Sequence, residues 1–129
     1  MASRRPLIIF GFILPIITVA LDQWSKYWAV KKFDMPMNIC ELDPYVNAKI
    51  EMSPFVDLTL LCNQGISWGL LQGDSSLKRW LLTIFAFVMC IVLFYILAKA
   101  KDNLTRLSLG LVIGGAIGNG IDRALFGAV

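Results

Sequence analysis

Three apolar stretches divide this chain, and polar residues gather at their ends. The first is unbroken from Leu7 to Leu21 and resumes after Asp22 through Trp24, Tyr27, Trp28, Ala29 and Val30. At about 1.5 Å of rise per residue it can cross roughly 30 Å of hydrocarbon, which predicts a membrane helix over about 7–30. The second, Trp80 to Ala98, has no charged residue in nineteen positions and predicts a helix over about 80–98. The third runs from Leu104 to Ile121 and predicts a helix over about 104–126. It is less apolar and carries glycine at 110, 114, 115, 118 and 120. Small residues four apart (Gly110, Gly114, Gly118) allow another helix to come close.

A cleavable signal peptide is the competing reading of the first stretch. Thr18-Val19-Ala20 resembles a small-residue cleavage site, and Ser3-Arg4-Arg5 resembles a twin-arginine start. The return of apolar and aromatic residues beyond Asp22 favours a retained helix. Aromatics at 24, 27 and 28 suit a membrane interface and set Asp22 and Lys26 near the headgroups.

Residues 31–79 separate the first two spans. Turn signals recur at Asp43-Pro44, Ser53-Pro54, Asn63-Gln64-Gly65 and Gln72-Gly73-Asp74, and Phe55–Cys62 is short, apolar and rich in strand formers. A small β platform on the membrane surface is expected here. The fold class is therefore membrane α-helical: a single membrane domain over 1–129, with three transmembrane helices and an extracytoplasmic β platform between the first two. Basic residues divide evenly: Arg4, Arg5, Lys99, Lys101 and Arg106 on one side, Lys31, Lys32, Lys49, Lys78 and Arg79 on the other. The short flanks carry more weight and place the N-terminus in the cytoplasm.

Composition sharpens this. Hydrophobic residues make up 57% and charged residues 16%, against about 45–50% and 25% in ordinary globular domains. A net charge of +3, dispersed along the chain, gives no footprint for nucleic acid. Histidine is absent, and Cys40, Cys62 and Cys90 are an odd set without C-x-x-C spacing, so zinc, haem and a Cys-His nucleophile are disfavoured. No metal or cofactor is expected.

Polar residues inside the spans need a reason. Asp22 and Lys26 are four apart, and Asn119, Asp122 and Arg123 share a face through i, i+3 and i+4 spacing. Each set read alone is a self-neutralising pair near a helix end. With both helices running outward, both sets reach the same outer level, and a shared site becomes the better explanation. Asn63 and Gly65 belong to a turn after the strand, or to a backbone-rich edge that hydrogen-bonds an extended peptide. An aspartyl pair of Asp22 and Asp122 is the tempting chemistry. Lys26 and Arg123 speak against it, since a nearby cation favours the ionised form of each acid.

Leu21-Asp22-Gln23-Trp24-Ser25-Lys26, Asn63-Gln64-Gly65-Ile66-Ser67-Trp68-Gly69 and Gly114–Arg123 with Gly127 and Val129 together resemble three blocks of the bacterial lipoprotein signal peptidase (signal peptidase II) family. The resemblance implies a four-helix inner-membrane aspartyl endopeptidase with an extracytoplasmic β cradle. Such an enzyme removes signal peptides from diacylglyceryl-modified prolipoproteins without a cofactor and is blocked by globomycin-type inhibitors. Membrane lipid is its other partner. By the same resemblance Asn63, Gly65, Asn119 and Arg123 bind substrate, and Asp22, Lys26 and Asp122 form the site scaffold, with Asp122 as catalytic only in an alternative reading. The family's two catalytic aspartates follow the block that ends here. The fourth helix and both aspartates are thus expected beyond Val129, and residues 1–129, as a fragment, are expected to bind poorly and not to cleave.

Two other classes remain open from sequence. A small proton-coupled transporter would use one membrane carboxylate, Asp22, near the midplane. A non-enzymatic membrane subunit would pack through Gly110, Gly114 and Gly118 and tolerate changes at Asn119 and Arg123.

Overall fold

The computed structural model describes residues 5–65 and 76–129, the side chains of 5–10 excepted. Ser3-Arg4, the Ile66–Gly69 half of the second block and the turn at Gln72-Gly73-Asp74 lie outside the described residues. Among the described residues four helices and two strands follow in order: α1 (Arg5–Lys32), α2 (Ile39–Leu42), β1 (Asn47–Ser53), β2 (Val56–Leu61), α3 (Ser76–Lys99) and α4 (Asn103–Phe126). Two of them, α3 and α4, are long and apolar enough to cross a membrane, with mean hydropathy of 2.9 and 1.3.

Helix α4 is the centre, with α1 and α3 packed on either side of it. Its partner along the glycine stripe is α1, running parallel. Leu14 sits at Gly110, Thr18 at Gly114 and Asp22 at Gly118, the same offset of 96 residues that pairs Lys26 with Asp122. Absent side chains make the approach possible. A Cβ on Gly110 would come within 2.9 Å of Leu14 Cδ2, and one on Gly114 would collide with Thr18 and lie 3.0 Å from the Pro15 carbonyl oxygen. A Cβ on Gly118 would overlap the Asp22 carboxylate. Pro15 is itself fully buried within α1. One turn on, the Thr18 hydroxyl donates to the Leu14 carbonyl at 2.9 Å, so this polar side chain is satisfied inside its own helix.

On the other side α3 runs antiparallel. Phe87 packs at Gly120, the Cys90 thiol reaches the Ile113 carbonyl, and Leu97 meets Gly11 at the far end. Ile113 has no exposed surface. The N-terminus of α4 is capped by Asp102, which accepts from the Thr105 N–H at 2.8 Å. At the other end Gly127 takes the left-handed conformation (φ 82°) and its N–H closes on the Arg123 carbonyl, a glycine C-cap.

The expected strand over 55–62 appears as β2, over Val56–Leu61, and it pairs antiparallel with β1. That partner was not anticipated, although Asn47-Ala48-Lys49-Ile50-Glu51-Met52-Ser53 alternates strictly between polar and apolar. Lysine, glutamate and asparagine are poor strand formers, and the period of two is the signal that counts. Lys49 pairs with Asp57 across the polar face at 2.7 Å, while Ile50 and Leu58 oppose each other on the apolar one. Val46, Cys62 and Ala128 form a small buried core beneath the hairpin, joined by Met35, Ile39 and Cys40. A Cys40–Cys62 disulfide crosses it, with Cα atoms 5.5 Å apart, and Cys90 stays a buried free thiol.

Two outcomes follow. Gly114→Ala destabilises the bundle by about 1–3 kcal/mol through overpacking, whereas Gly115→Ala, whose Cβ meets nothing within 4 Å, is neutral or stabilising by up to about 1 kcal/mol. Thermal unfolding in detergent separates the two. The Thr105 backbone N–H, and then its side chain, hold the Asp102 carboxyl below its ordinary range. Its capping contribution is therefore complete above the unfolded pKa and lost as pH falls through the lowered folded one. Asp102→Ala removes that acid-side slope from a Tm-against-pH curve, and Asp102→Ser keeps a cap without it.

Candidate functional site

Glycine at 118 admits a carboxylate between two helix backbones, and the polar site grows from that. Lys26 lies one turn beyond Asp22 on α1, with its ammonium between helices. Lys26 Nζ donates to Asp22 Oδ2 at 2.8 Å, to Asp122 Oδ2 at 2.5 Å and to Asn119 Oδ1 at 3.2 Å. Three N–H donors meet three acceptors, which uses up the donating capacity of the ammonium. Gln23 completes the set from the side, its Nε2 donating to Asp122 Oδ1 at 2.9 Å and to Asp22 Oδ2 at 3.2 Å. Each oxygen of Asp122 thus carries a hydrogen bond. Its side chain is only 6% exposed, against 29% for Lys26 and 22% for Asp22.

Arg123 belongs to a second group and makes no ion pair with Asp122. Its Nη2 donates to the Gly65 carbonyl at 2.7 Å and its Nη1 reaches the Asn119 carbonyl at 3.5 Å. Asn63 serves the turn: its Oδ1 accepts from the Gly65 N–H at 2.9 Å. Its backbone forms a two-way pair with Val129, at 2.8 and 3.1 Å. Among the described residues two buried polar atoms have no partner, Arg123 Nε and Gln64 Oε1. One is a donor and the other an acceptor; Gln64 lies within the Asn63–Gly65 segment, and Arg123 is bonded to its last residue.

Between the Lys26–Asp122 pair and the platform lies a cavity of about 160 Å³, with Lys26 and Asp122 on one wall and Val30, Ile39, Leu60 and Phe126 among the others. Among the described residues no three metal-ligating acids or cysteines come together.

Of the residues singled out in sequence, Asp22, Lys26, Asn119 and Asp122 meet in one cluster, while Gly65, held by the Asn63 side chain, meets Arg123. Asn119 belongs to both through its side chain and its carbonyl. Three participants were missed. Gln23 sits inside the first block, and only the α1–α4 register shows that it faces Asp122. Arg79 donates to the Arg123 and Ala124 carbonyls at 2.6 and 2.7 Å and to Glu41 Oε1 at 3.1 Å, so it caps α4 from another helix. The Cys40–Cys62 pair had no signature in its spacing.

The profile of the family described as Signal peptidase (SPase) II matches residues 14–129. This chain belongs to the signal peptidase II family. It is 39% identical to the lipoprotein signal peptidase of Methylorubrum extorquens (strain PA1) over 119 residues, 92% of this chain and 64% of that protein. Identity to the lipoprotein signal peptidase of Methylobacterium sp. (strain 4-46) is 37% over 125 residues, 97% of this chain and 70% of the relative. The Caulobacter vibrioides lipoprotein signal peptidase matches at 37% over 120 residues, 92% of this chain and 66% of its own length. The chain thus spans about two thirds of the length of these relatives. No solved structure gives a significant match. In this signal peptidase II chain the cavity is lined by Lys26 of the first block and by Asp122 and Val129 of the third, and Gly65 of the second block is joined to the third through Arg123.

Removing the cation leaves two carboxylates facing each other across α1 and α4. Lys26→Met is expected to destabilise the protein by about 2–4 kcal/mol, and adding Asp122→Asn to recover a large part of it. A double-mutant cycle on thermal unfolding in detergent measures both.

Proposed function

We propose that this chain is the groove-forming part of a lipoprotein signal peptidase, an intramembrane aspartyl endopeptidase acting on diacylglyceryl-modified prolipoproteins. The observation that carries the reading is the pair of buried, unpartnered atoms Arg123 Nε and Gln64 Oε1, on residues that meet where the Asn63–Gly65 segment is held to α4. An extended peptide offers a carbonyl to the first and an N–H to the second, and burying both unmade bonds is costly until it does.

In this reading α1, α3 and α4 all cross the bacterial inner membrane, with the N-terminus cytoplasmic and the hairpin outside. The parallel course of α1 and α4 supports this, because it delivers both polar helix ends to the hairpin's level. Asn63, Gly65, Asn119 and Arg123 bind the peptide. Asp22, Lys26 and Asp122 hold the groove's shape, and the hydrogen bonds on both Asp122 oxygens argue for scaffold over catalyst. In the family pattern, two aspartates following the Gly127–Val129 block carry out hydrolysis. One activates a water that adds to the scissile carbonyl, and the other protonates the departing amine. Residues 1–129 bind and orient the substrate, and cleavage belongs to those aspartates. The cavity accepts the lipid-bearing end of the substrate and globomycin-type inhibitors.

The competing classes fare less well. The glycine face that a packing subunit would offer is already covered by α1, and the Asp22 cluster adjoins the platform, away from the α3–α4 turn at the opposite end.

Full-length protein in detergent is expected to release signal peptide from a lipidated prolipoprotein, and globomycin to stop it. Arg123→Ala lowers kcat/KM by about 30–100-fold, as expected for losing a buried, charge-assisted hydrogen bond to substrate. Failure of a well-folded full-length preparation to process any lipidated prolipoprotein would remove the reading. Substrate flux in proteoliposomes that is lost in Asp22→Asn would replace it with a transporter.

A further inference from the structure

Cys40 and Cys62 each stand one residue from a contact that builds the groove. Next to Cys40, Glu41 accepts from Arg79, the same side chain that caps the carbonyls of Arg123 and Ala124. Next to Cys62, Asn63 makes the two-way backbone pair with Val129, and two residues further Gly65 receives Arg123. The disulfide joins these two lines of contact across 22 residues of sequence. Among the described residues the hairpin has few other anchors beyond the packing of Met35, Ile39 and Cys40 on its small core. Its strands pack mainly on each other, and its buried core consists of Val46, Cys62 itself and Ala128. One of those three is thus a member of the bridge.

We propose that Cys40 and Cys62 are positioning residues of the substrate groove, and that their disulfide must be closed for Asn63–Gly65 to stand against the end of α4. This rests on the peptidase reading, in which Asn63 and Gly65 form the peptide-binding wall. It also rests on the hairpin lying outside the cytoplasm, where disulfides persist. Closing the bridge forms one S–S bond and takes two protons and two electrons from the thiols. A protein disulfide of a thiol-oxidising enzyme accepts them and is reduced to its dithiol by exchange. The consequence is a peptidase whose affinity for substrate follows the redox state of its compartment, although its chemistry uses no thiol.

Three measurements on full-length protein taken from membranes test this. Alkylation under denaturing conditions, read peptide by peptide, is expected to label Cys90 before reduction and Cys40 and Cys62 only after it. Reduction is expected to speed amide exchange at Asn63 and Val129 by about tenfold, as the tether to α4 loosens. It is also expected to raise KM for lipidated prolipoprotein by about threefold to tenfold while kcat stays within about twofold, since the reacting groups are elsewhere. Reoxidation restores both values, and Cys40→Ser/Cys62→Ser behaves as the reduced protein does, with Cys90→Ser as control. Cys40 and Cys62 labelled before reduction, or exchange and KM that ignore reduction, would overturn the proposal. If exchange responds but no substrate is processed in either state, the peptidase reading fails while the tether is supported.

Discussion

The close approach of α1 and α4 is the constraint from which the rest follows. Two helices in an apolar setting gain little from a hydrophobic drive and associate through surface fit and polar contacts. Here the fit is made by absence: Gly110, Gly114 and Gly118 lack the side chains that would hold α1 away. Once the backbones are that close, residues on α1 must be accommodated in the same 96-residue register all the way up. At the inner levels the guests are Leu14 and Thr18, at the outer ones Asp22 and Lys26. The packing stripe and the polar site are one continuous seam.

The seam also explains why the charges are tolerable. An ammonium taken from water is costly unless its donors are all met, and Lys26 meets three acceptors drawn from two helices. Neither helix alone supplies enough. Asp22 could satisfy Lys26 locally, but Asp122 would then face the seam with only Gln23 for company. The cluster is therefore a folding condition of the pair of helices as well as a feature of the groove, and Arg123 is left out of it. Freed from pairing with its neighbour Asp122, its guanidinium is available to the Asn63–Gly65 segment.

Much of this was legible in the sequence, for specific reasons. Hydropathy located α3 and α4 because uninterrupted apolar length has few other meanings, and the spacing of Asp22 with Lys26 and of Asn119 with Asp122 assigned each pair to one face. Strand β2 was readable from its β-branched and apolar residues, β1 only from its alternation. Asp122 and Arg123, neighbours in sequence, read as a local pair and yet bond to different partners. Periodicity gives the face of a residue and says nothing about which of two opposite charges across the seam wins it. Arg79 was counted only as flanking charge, because capping a helix 44 residues away depends on the antiparallel docking of α3. Cys40 and Cys62 had no pattern because their pairing is set by the hairpin's fold-back and not by spacing.

A rigid seam and a lightly held platform divide the labour of the groove. The seam's geometry is fixed by backbone contact, so Asn119 and Arg123 are presented at positions that a side-chain rotation cannot much alter. Among the described residues the hairpin has no such backbone-to-backbone helix anchor. It reaches α4 through the Asn63–Val129 backbone pair, the Arg123–Gly65 bond and the Arg79–Glu41 link, with the disulfide behind them. Under the proposed peptidase reading, a wall attached at a few polar points suits the entry of a lipidated chain better than one welded by a core. The unpartnered Arg123 Nε and Gln64 Oε1 lie where the two parts meet, and under the proposed reading an arriving peptide completes the hydrogen bonding there.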